Sequence, residues 1–116
     1  AGAVDEISPA GPTRVWVVAE GKVRTFQVHP SDFGMEPEGL DRIRGGTPQE
    51  NARILREVLS GKESPYLRTV LMNAAAGLFI AGKVKTLKEG VSFGRCAVAE
   101  GRAAQLLEEL IQFMGR

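Results

Sequence analysis

Hydrophobic and polar positions change their rhythm partway along this chain. Up to Gly46 the apolar residues come in short runs. RVWVV (Arg14 to Val18) and VRTFQV (Val23 to Val28) are β-branched or aromatic stretches separated by AEGK, with Gly21 supplying the turn, and they predict an antiparallel hairpin. In the second run Val23, Thr25 and Gln27 alternate with Arg24, Phe26 and Val28. Neither face is wholly apolar, so that strand reads as an edge or as partly covered. HPSDFGMEPEGLDRIRGG follows and predicts a long ordered loop rich in Gly, Pro and Asp.

From Thr47 onward the period is helical. In TPQENARILREVLSG, Thr47 is an N-cap, Pro48 suits the first helical position and Glu50 completes a capping box. Ile54, Leu55, Val58 and Leu59 form an apolar stripe, and Gly61 ends the helix. Ser64 and Pro65 open the next helix, which is almost entirely apolar from Val70 to Ala81 and reads as buried on most sides. Thr86 and Glu89 repeat the capping box in TLKEGVSFGRCAVAEG, which stops at Gly101. The last segment, AAQLLEELIQFMG, places Leu106, Leu107, Leu110, Ile111 and Met114 on one side and Glu108, Glu109 and Gln112 on the other. The chain thus divides into a strand and loop portion, residues 1–46, and a helical portion, residues 47–116.

At 116 residues this is one domain's worth of chain at most. A two-stranded hairpin is marginal alone, and the Val70 to Ala81 helix demands neighbours that the rest supplies only in part. AGAVDEI reads as a strand running into a loop with no element before it. The expectation is a segment of a larger α/β protein. Net charge is +1, which gives no electrostatic case for nucleic acid or an anionic membrane. No apolar stretch approaches the roughly 20 residues that span a bilayer, and no signal-peptide pattern is present. The one cysteine, Cys96, lies in an amphipathic run and reads as a small buried residue, in keeping with a reducing cytoplasm.

The candidate chemistry lies in VDEISPAGPT, Val4 to Thr13. Asp5 and Glu6 are adjacent carboxylates before a loop stiffened by Pro9 and Pro12 and bent at Gly11. Such a pair can hold a hard cation, because magnesium commonly takes one or two carboxylates together with waters and substrate phosphates. On spacing alone, solvated surface charge is the better reading. His29 has no Ser, Cys or second His placed to make a triad or metal cluster, and reads as structural or exposed. RIRGGT (Arg42 to Thr47) sets a basic, glycine-rich loop before a helix start, a generic anion-binding geometry. It lacks the Lys-Ser/Thr ending of a phosphate-binding loop, so a turn into the helix is the default. Asn73, inside an Ala-rich helix, reads as a satisfied interior group that caps or bridges neighbouring backbone.

VDEISPAGPTRVW, DFG, RGGTPQENARILREVLSG, LMNAAAGLFIAGK and EGVSFGRCAVAEGRAAQLLEEL resemble, in this order, the C-terminal third of the anthranilate phosphoribosyltransferase family, over essentially the whole chain. GG-x-x-x-ENA and NAAA-x-L-x-x-AGK are the more specific elements, and DE-x-S-x-x-G-P-T is the part tied to function. The resemblance implies an α/β fold: the C-terminal segment, a β-hairpin plus about four helices, of a nucleoside phosphorylase/phosphoribosyltransferase-like catalytic domain, incomplete on its own. It implies transfer of 5-phosphoribosyl from phosphoribosyl diphosphate (PRPP) to anthranilate in tryptophan biosynthesis. Asp5 and Glu6 take the role of the family's acidic pair, which binds Mg2+ with the glutamate close to the donor diphosphate.

The implied partners are PRPP and anthranilate in the complete enzyme and the upstream remainder of the same domain, in a parent that is a homodimer through its small helical domain. No nucleic acid or membrane is implied. Ala3-Val4 stands where the family usually has Gly-Leu. The family's Gly-Thr-Gly-Gly-Asp donor loop, its Lys-His-Gly-Asn segment and its anthranilate-contacting arginine lie upstream and do not occur here, so the 116 residues alone are expected to be inactive. No side chain present is a plausible general base. The alternative is a non-catalytic relative of the same fold that binds nucleic acid or serves as an interaction module. The low net charge and the lack of a Lys/Arg stripe with interleaved aromatics oppose it. A nucleoside phosphorylase segment is a weaker third option.

Overall fold

The computed structural model describes residues 4–115. Ala1 to Ala3, where the sequence suggested a strand leading into the loop, lie outside the described residues. Asp5 and Glu6 sit in a bend, and Val4 to Ile7 form no strand. Strands β1 (Thr13–Ala19) and β2 (Lys22–Val28) pair antiparallel, in register from Thr13 opposite Val28 to Ala19 opposite Lys22. Glu20 and Gly21 between them both take left-handed backbone, with φ of 51° and 70°. Two consecutive residues of that kind give a hairpin turn whose twist matches the strands. The long segment after β2 is ordered, as expected, but it is built on two short 3-10 helices, Pro30–Phe33 and Leu40–Ile43.

Four helices complete the chain: α1 (Pro48–Leu59), α2 (Pro65–Ile80), α3 (Leu87–Ala99) and α4 (Arg102–Met114). Their starts follow side-chain chemistry. Thr47 Oγ1 accepts from the Glu50 N–H and the Glu50 carboxylate accepts from the Thr47 N–H at 2.7 Å, so two otherwise orphaned donors are satisfied. Ser64 Oγ accepts from the Leu67 N–H. At α3 the reciprocal box does not close as the sequence suggested. Thr86 accepts from the Glu89 N–H, but the Glu89 carboxylate reaches past it to the Lys85 N–H at 2.8 Å. Gly61 and Gly101 leave α1 and α3 in left-handed conformation, as their positions predict.

The core is drawn from the hairpin, the first 3-10 helix and three of the four helices: Val28 of β2, Phe33 of the first 3-10 helix, Val58 of α1, Leu71 and Met72 of α2, and Val91 of α3. Its tightest contact is the crossing of α2 and α3. A Cβ on Gly90 would lie 2.8 Å from both Cα and Cβ of Ala75, and one on Gly94 would lie 2.9 Å from Leu71 Cδ2. Gly90 and Gly94 are one turn apart, as are Leu71 and Ala75. The helices therefore meet on two matched rows, and Ala75 has no solvent exposure.

Two expectations about burial are corrected. Only Leu67, Leu71, Met72 and Ala75 of α2 are buried, while Val70, Phe79 and Ile80 are 45%, 42% and 67% exposed. The sequence makes α2 apolar all round, but its packed neighbours among the described residues cover one side. Cys96 is exposed. The buried positions of α3 are Gly90, Val91 and Gly94, and two residues beyond Gly94 turn the helix by about 200°, away from α2. Trp16, Val18 and Val23 on the outer hairpin face, and Leu106 and Leu110 on α4, are also exposed. No helix among the described residues is long and apolar enough to cross a membrane.

The α2–α3 crossing yields a graded expectation. Gly90→Ala sets a methyl against backbone that cannot rotate away, an overpacking cost of about 1–3 kcal/mol that outweighs the gain of up to about 1 kcal/mol in helix propensity. Gly94→Ala meets only the end of a leucine side chain, so the two terms should nearly cancel. Urea denaturation should show a lower midpoint for Gly90→Ala and little change for Gly94→Ala. Equal midpoints for both would show that the helices separate freely.

Candidate functional site

The acidic pair stands at the head of a strap that is hydrogen-bonded from Ile7 to Ala10. Asp5 and Glu6 are both exposed. The next residue, Ile7, donates its N–H to Asn73 Oδ1 at 2.9 Å and accepts from Asn73 Nδ2 at 3.2 Å. The Ser8 N–H donates to Thr13 Oγ1 at 2.9 Å and the Ala10 N–H to Ser8 Oγ at 3.2 Å. Pro9 is buried, and its carbonyl accepts from the Glu38 N–H at 2.8 Å. The stiffness that the prolines suggested thus has a second source, in bonds to α2 and to the segment before the second 3-10 helix.

Glu38 is itself held from α2. Arg68 donates Nε to its carboxylate at 3.0 Å and Nη1 to Glu63 at 2.7 Å, while Arg95 of α3 donates to the other Glu63 oxygen at 2.8 Å. Glu38 is the acceptor that does most to hold Arg68 in its charged form, with Glu63 second. The network ties the strap's distal end to α2, α3 and the turn between α1 and α2.

Beside Glu6 lies a hollow of about 440 Å³. Val4, Ile7, Pro9, Val70 and Ala74 give it apolar walls, and Glu6, Thr69 and Asn73 provide the polar groups. Among the described residues no three His, Cys, Asp or Glu side chains come together as a metal cluster. The pair therefore offers at most two protein carboxylates. That donor set suits a hard ion that completes its shell with water and phosphate oxygens. It does not suit a zinc site or an all-protein calcium cage.

The other candidates resolve into structure. His29 is exposed, and its backbone N–H donates to Asp32 Oδ2 at 2.8 Å. In the Arg42 to Thr47 loop two of the backbone donors that an anion would use are occupied. The Gly46 N–H goes to Asn51 Oδ1 at 2.8 Å, Asn51 Nδ2 returns to the Gly46 carbonyl at 3.2 Å, and the Thr47 N–H goes to Glu50. A Cβ on Gly45 would crowd Asn51, and one on Gly46 would collide with Glu50, so the glycine pair serves the turn into α1. Asn73 does bridge backbone, as its setting suggested. Its partner, 66 positions away, is beyond any local signal.

A hairpin set beside the C-terminal end of α2, four helices, and an acidic strap pinned to the flank of α2 make an α/β arrangement of the kind found within larger catalytic domains. A family model described as "Glycosyl transferase family, a/b domain" matches residues 1–104, and the chain belongs to that family. Its curated relatives include the anthranilate phosphoribosyltransferase of Listeria innocua, 46% identical over 113 residues that make up 97% of this chain and 33% of the relative. That of Rhodopseudomonas palustris is 44% identical over 108 residues, 93% of this chain and 32% of the relative.

Among solved structures, the Saccharomyces cerevisiae anthranilate phosphoribosyltransferase in complex with PRPP and Mg matches with a TM-score of 0.86 and 37% identity, covering 94% of this chain and 32% of that one. The same yeast enzyme in complex with 4-fluoroanthranilate matches at 0.87 and 38%. The chain therefore spans about a third of the length of the relatives it matches. The resemblance drawn from the sequence, and the hairpin-plus-helices fold it implied, are borne out.

The ion-pair network makes the fold sensitive to acid. The Arg95 hydrogen bond holds the Glu63 carboxyl below the usual glutamate range, desolvation opposes this, and Arg68 adds to the lowering. A depressed folded-state value means that the contribution is complete above about pH 4.3, the ordinary glutamate pKa, and is lost as pH falls below it. The melting temperature should drop on acidification through that window, and Glu63→Gln should flatten part of the slope. An identical pH profile in the variant would remove Glu63 from the account.

Proposed function

We propose that these residues act within an anthranilate phosphoribosyltransferase, as the part of its catalytic domain that holds Mg2+ at the diphosphate of PRPP, with Asp5 and Glu6 as the protein ligands. The observation that carries the reading is an acidic pair on a strap fixed at Ile7 and Pro9, in a chain 37% identical to a yeast enzyme solved with PRPP and Mg. Breaking the anomeric C–O bond builds positive charge on the ribose and negative charge on the departing diphosphate. When bound, the ion supplies charge neutralisation and orientation of the leaving group. Asp5 and Glu6 hold that charge in place from the protein side and need not touch the sugar. As the C–O bond breaks, the anthranilate amine forms the new C–N bond and then gives up a proton to solvent, and the diphosphate is stable enough as a leaving group that no general acid is asked of this segment.

The remaining partners follow from the same reading. The exposed apolar groups of the outer hairpin face, the C-terminal half of α2 and α4 are surfaces for the rest of the domain, which the longer relatives carry. A reducing cytoplasm suits the free, exposed thiol of Cys96. Nucleic-acid binding is not favoured, because the matched relatives are transferases and the net charge is +1.

Complementation tests the reading. Mixed with or joined to the unmatched two thirds of the Listeria innocua relative, the chain should restore anthranilate-dependent consumption of PRPP that neither part shows alone. Asp5→Asn with Glu6→Gln should reduce it at least about a hundredfold, since a bound metal contributes several kcal/mol to such a step and about 1.4 kcal/mol corresponds to tenfold in rate. Full activity in that double variant would sink the assignment.

A further inference from the structure

Asn73 is an amide in the middle of an apolar helix, a position where asparagine is a poor helix former because its side chain competes for backbone bonds. Here it uses that capacity on one distant residue. Oδ1 accepts from the Ile7 N–H at 2.9 Å, and Nδ2 donates both to the Ile7 carbonyl at 3.2 Å and to the Thr69 carbonyl, one turn back, at 3.0 Å. A single carboxamide thus satisfies both backbone groups of Ile7, as a neighbouring strand would. The third bond fixes the amide's own orientation against α2.

Ile7 directly follows Glu6, and consecutive Cα atoms across a trans peptide are 3.8 Å apart. Holding Ile7 at its N–H and its carbonyl therefore fixes the peptide plane from which Glu6 departs, and leaves Asp5 one residue of freedom beyond it. The distal end is held independently, by the Glu38 N–H on the Pro9 carbonyl. Magnesium demands near-ideal octahedral geometry at about 2.0–2.1 Å, and a ligand pair on a loop meets such a demand only if its support is rigid.

We infer that Asn73 is a positioning residue for the acidic pair, a carboxamide latch that sets the direction from which Asp5 and Glu6 present their oxygens. The inference rests on the reading of those two residues as Mg2+ ligands. A purely structural role for Asn73 would make a different prediction, and Asn51 supplies the control. Its carboxamide makes the same two-point bridge to Gly46, at the start of α1 and away from the strap.

The test uses the active, full-length protein with Mn2+ as the probe, its free ion counted by electron paramagnetic resonance in the presence of PRPP, alongside hydrogen exchange at the Ile7 amide. Asn73→Ala should speed Ile7 exchange at least about tenfold and weaken Mn2+ binding by about 10- to 100-fold, the range typical of outer-shell supports. Asn73→Asp keeps the acceptor for the Ile7 N–H but sets a carboxylate against two carbonyls. It should weaken Mn2+ binding in the same direction, and it carries the test if the alanine variant does not fold. Asn51→Ala should lower the melting temperature and leave Mn2+ affinity unchanged.

Wild-type Ile7 exchange in Asn73→Ala would overturn the latch. Faster exchange with unchanged Mn2+ affinity would reduce Asn73 to scaffolding and overturn the positioning role. If Asp5→Asn with Glu6→Gln keeps wild-type Mn2+ affinity, the ligand assignment falls and the inference with it. If that double variant loses affinity while neither Asn73 variant does, only the positioning role falls.

Discussion

Where Gly90 and Gly94 press on Ala75 and Leu71, the backbones of α2 and α3 approach more closely than larger residues would allow, and that contact decides which way round α2 lies. Successive residues of a helix are about 100° apart. Once Leu71 and Ala75 face α3, Asn73 between them is turned about 160–200° away, onto the flank where Ile7 passes. Thr69, one turn before Asn73, shares that flank and receives its second donor bond. Arg68, seven residues before Ala75 and therefore on nearly the same side, points toward α3, where it meets the Glu63 that Arg95 also holds. One close helix crossing thereby orients both side chains that control the strap.

The two asparagines make the same two-point bridge in different surroundings. Where Ile7 runs against α2 its peptide groups are partly shielded from water and need partners, whereas Gly46 is exposed and its bridge fixes the entry to α1. Asn51 closes on Gly46 and Asn73 on Ile7, each with one accepted and at least one donated bond. The ion pairs add little energy of their own, since exposed pairs are worth about 0–1 kcal/mol. Their value is connectivity. Arg68 reaches Glu38, whose N–H secures Pro9, and Glu63, which precedes α2 and is also held by Arg95, so the segment before the second 3-10 helix, the α1–α2 turn and α3 are linked.

Much of the architecture was legible because it is written locally. The hairpin follows from alternating β-branched residues, and three helix starts follow from Thr47, Ser64 and Thr86. What sequence reasoning missed is long-range. Nothing near Asn73 in the chain names Ile7, and nothing near Glu38 names Pro9 or Arg68. Burial was over-read for a related reason. Apolarity states what a side chain would prefer to touch, and the described residues cover only one side of α2 and little of α4. Cys96 was misplaced by the same inference, because the row that packs on α2 is made of glycines, which carry no hydrophobic signal in a pattern of apolar positions. The acidic pair was visible in sequence, whereas the strap that gives it direction was not.

That strap bears on how two exposed carboxylates could serve as a useful metal site at all. In bulk water, two carboxylates about 4 Å from a divalent cation contribute on the order of 4 kcal/mol, which corresponds to a dissociation constant of about 1 mM. Side-chain entropy spent in aligning them lowers this further. A pair of this kind therefore becomes effective only when phosphate oxygens complete the shell, so that ion and diphosphate bind as one unit. Under that condition the protein contributes direction more than affinity. Direction is what a peptide plane fixed on both sides of Ile7 supplies, at a position where neither carboxylate is drawn into an ion pair with the arginines of the network.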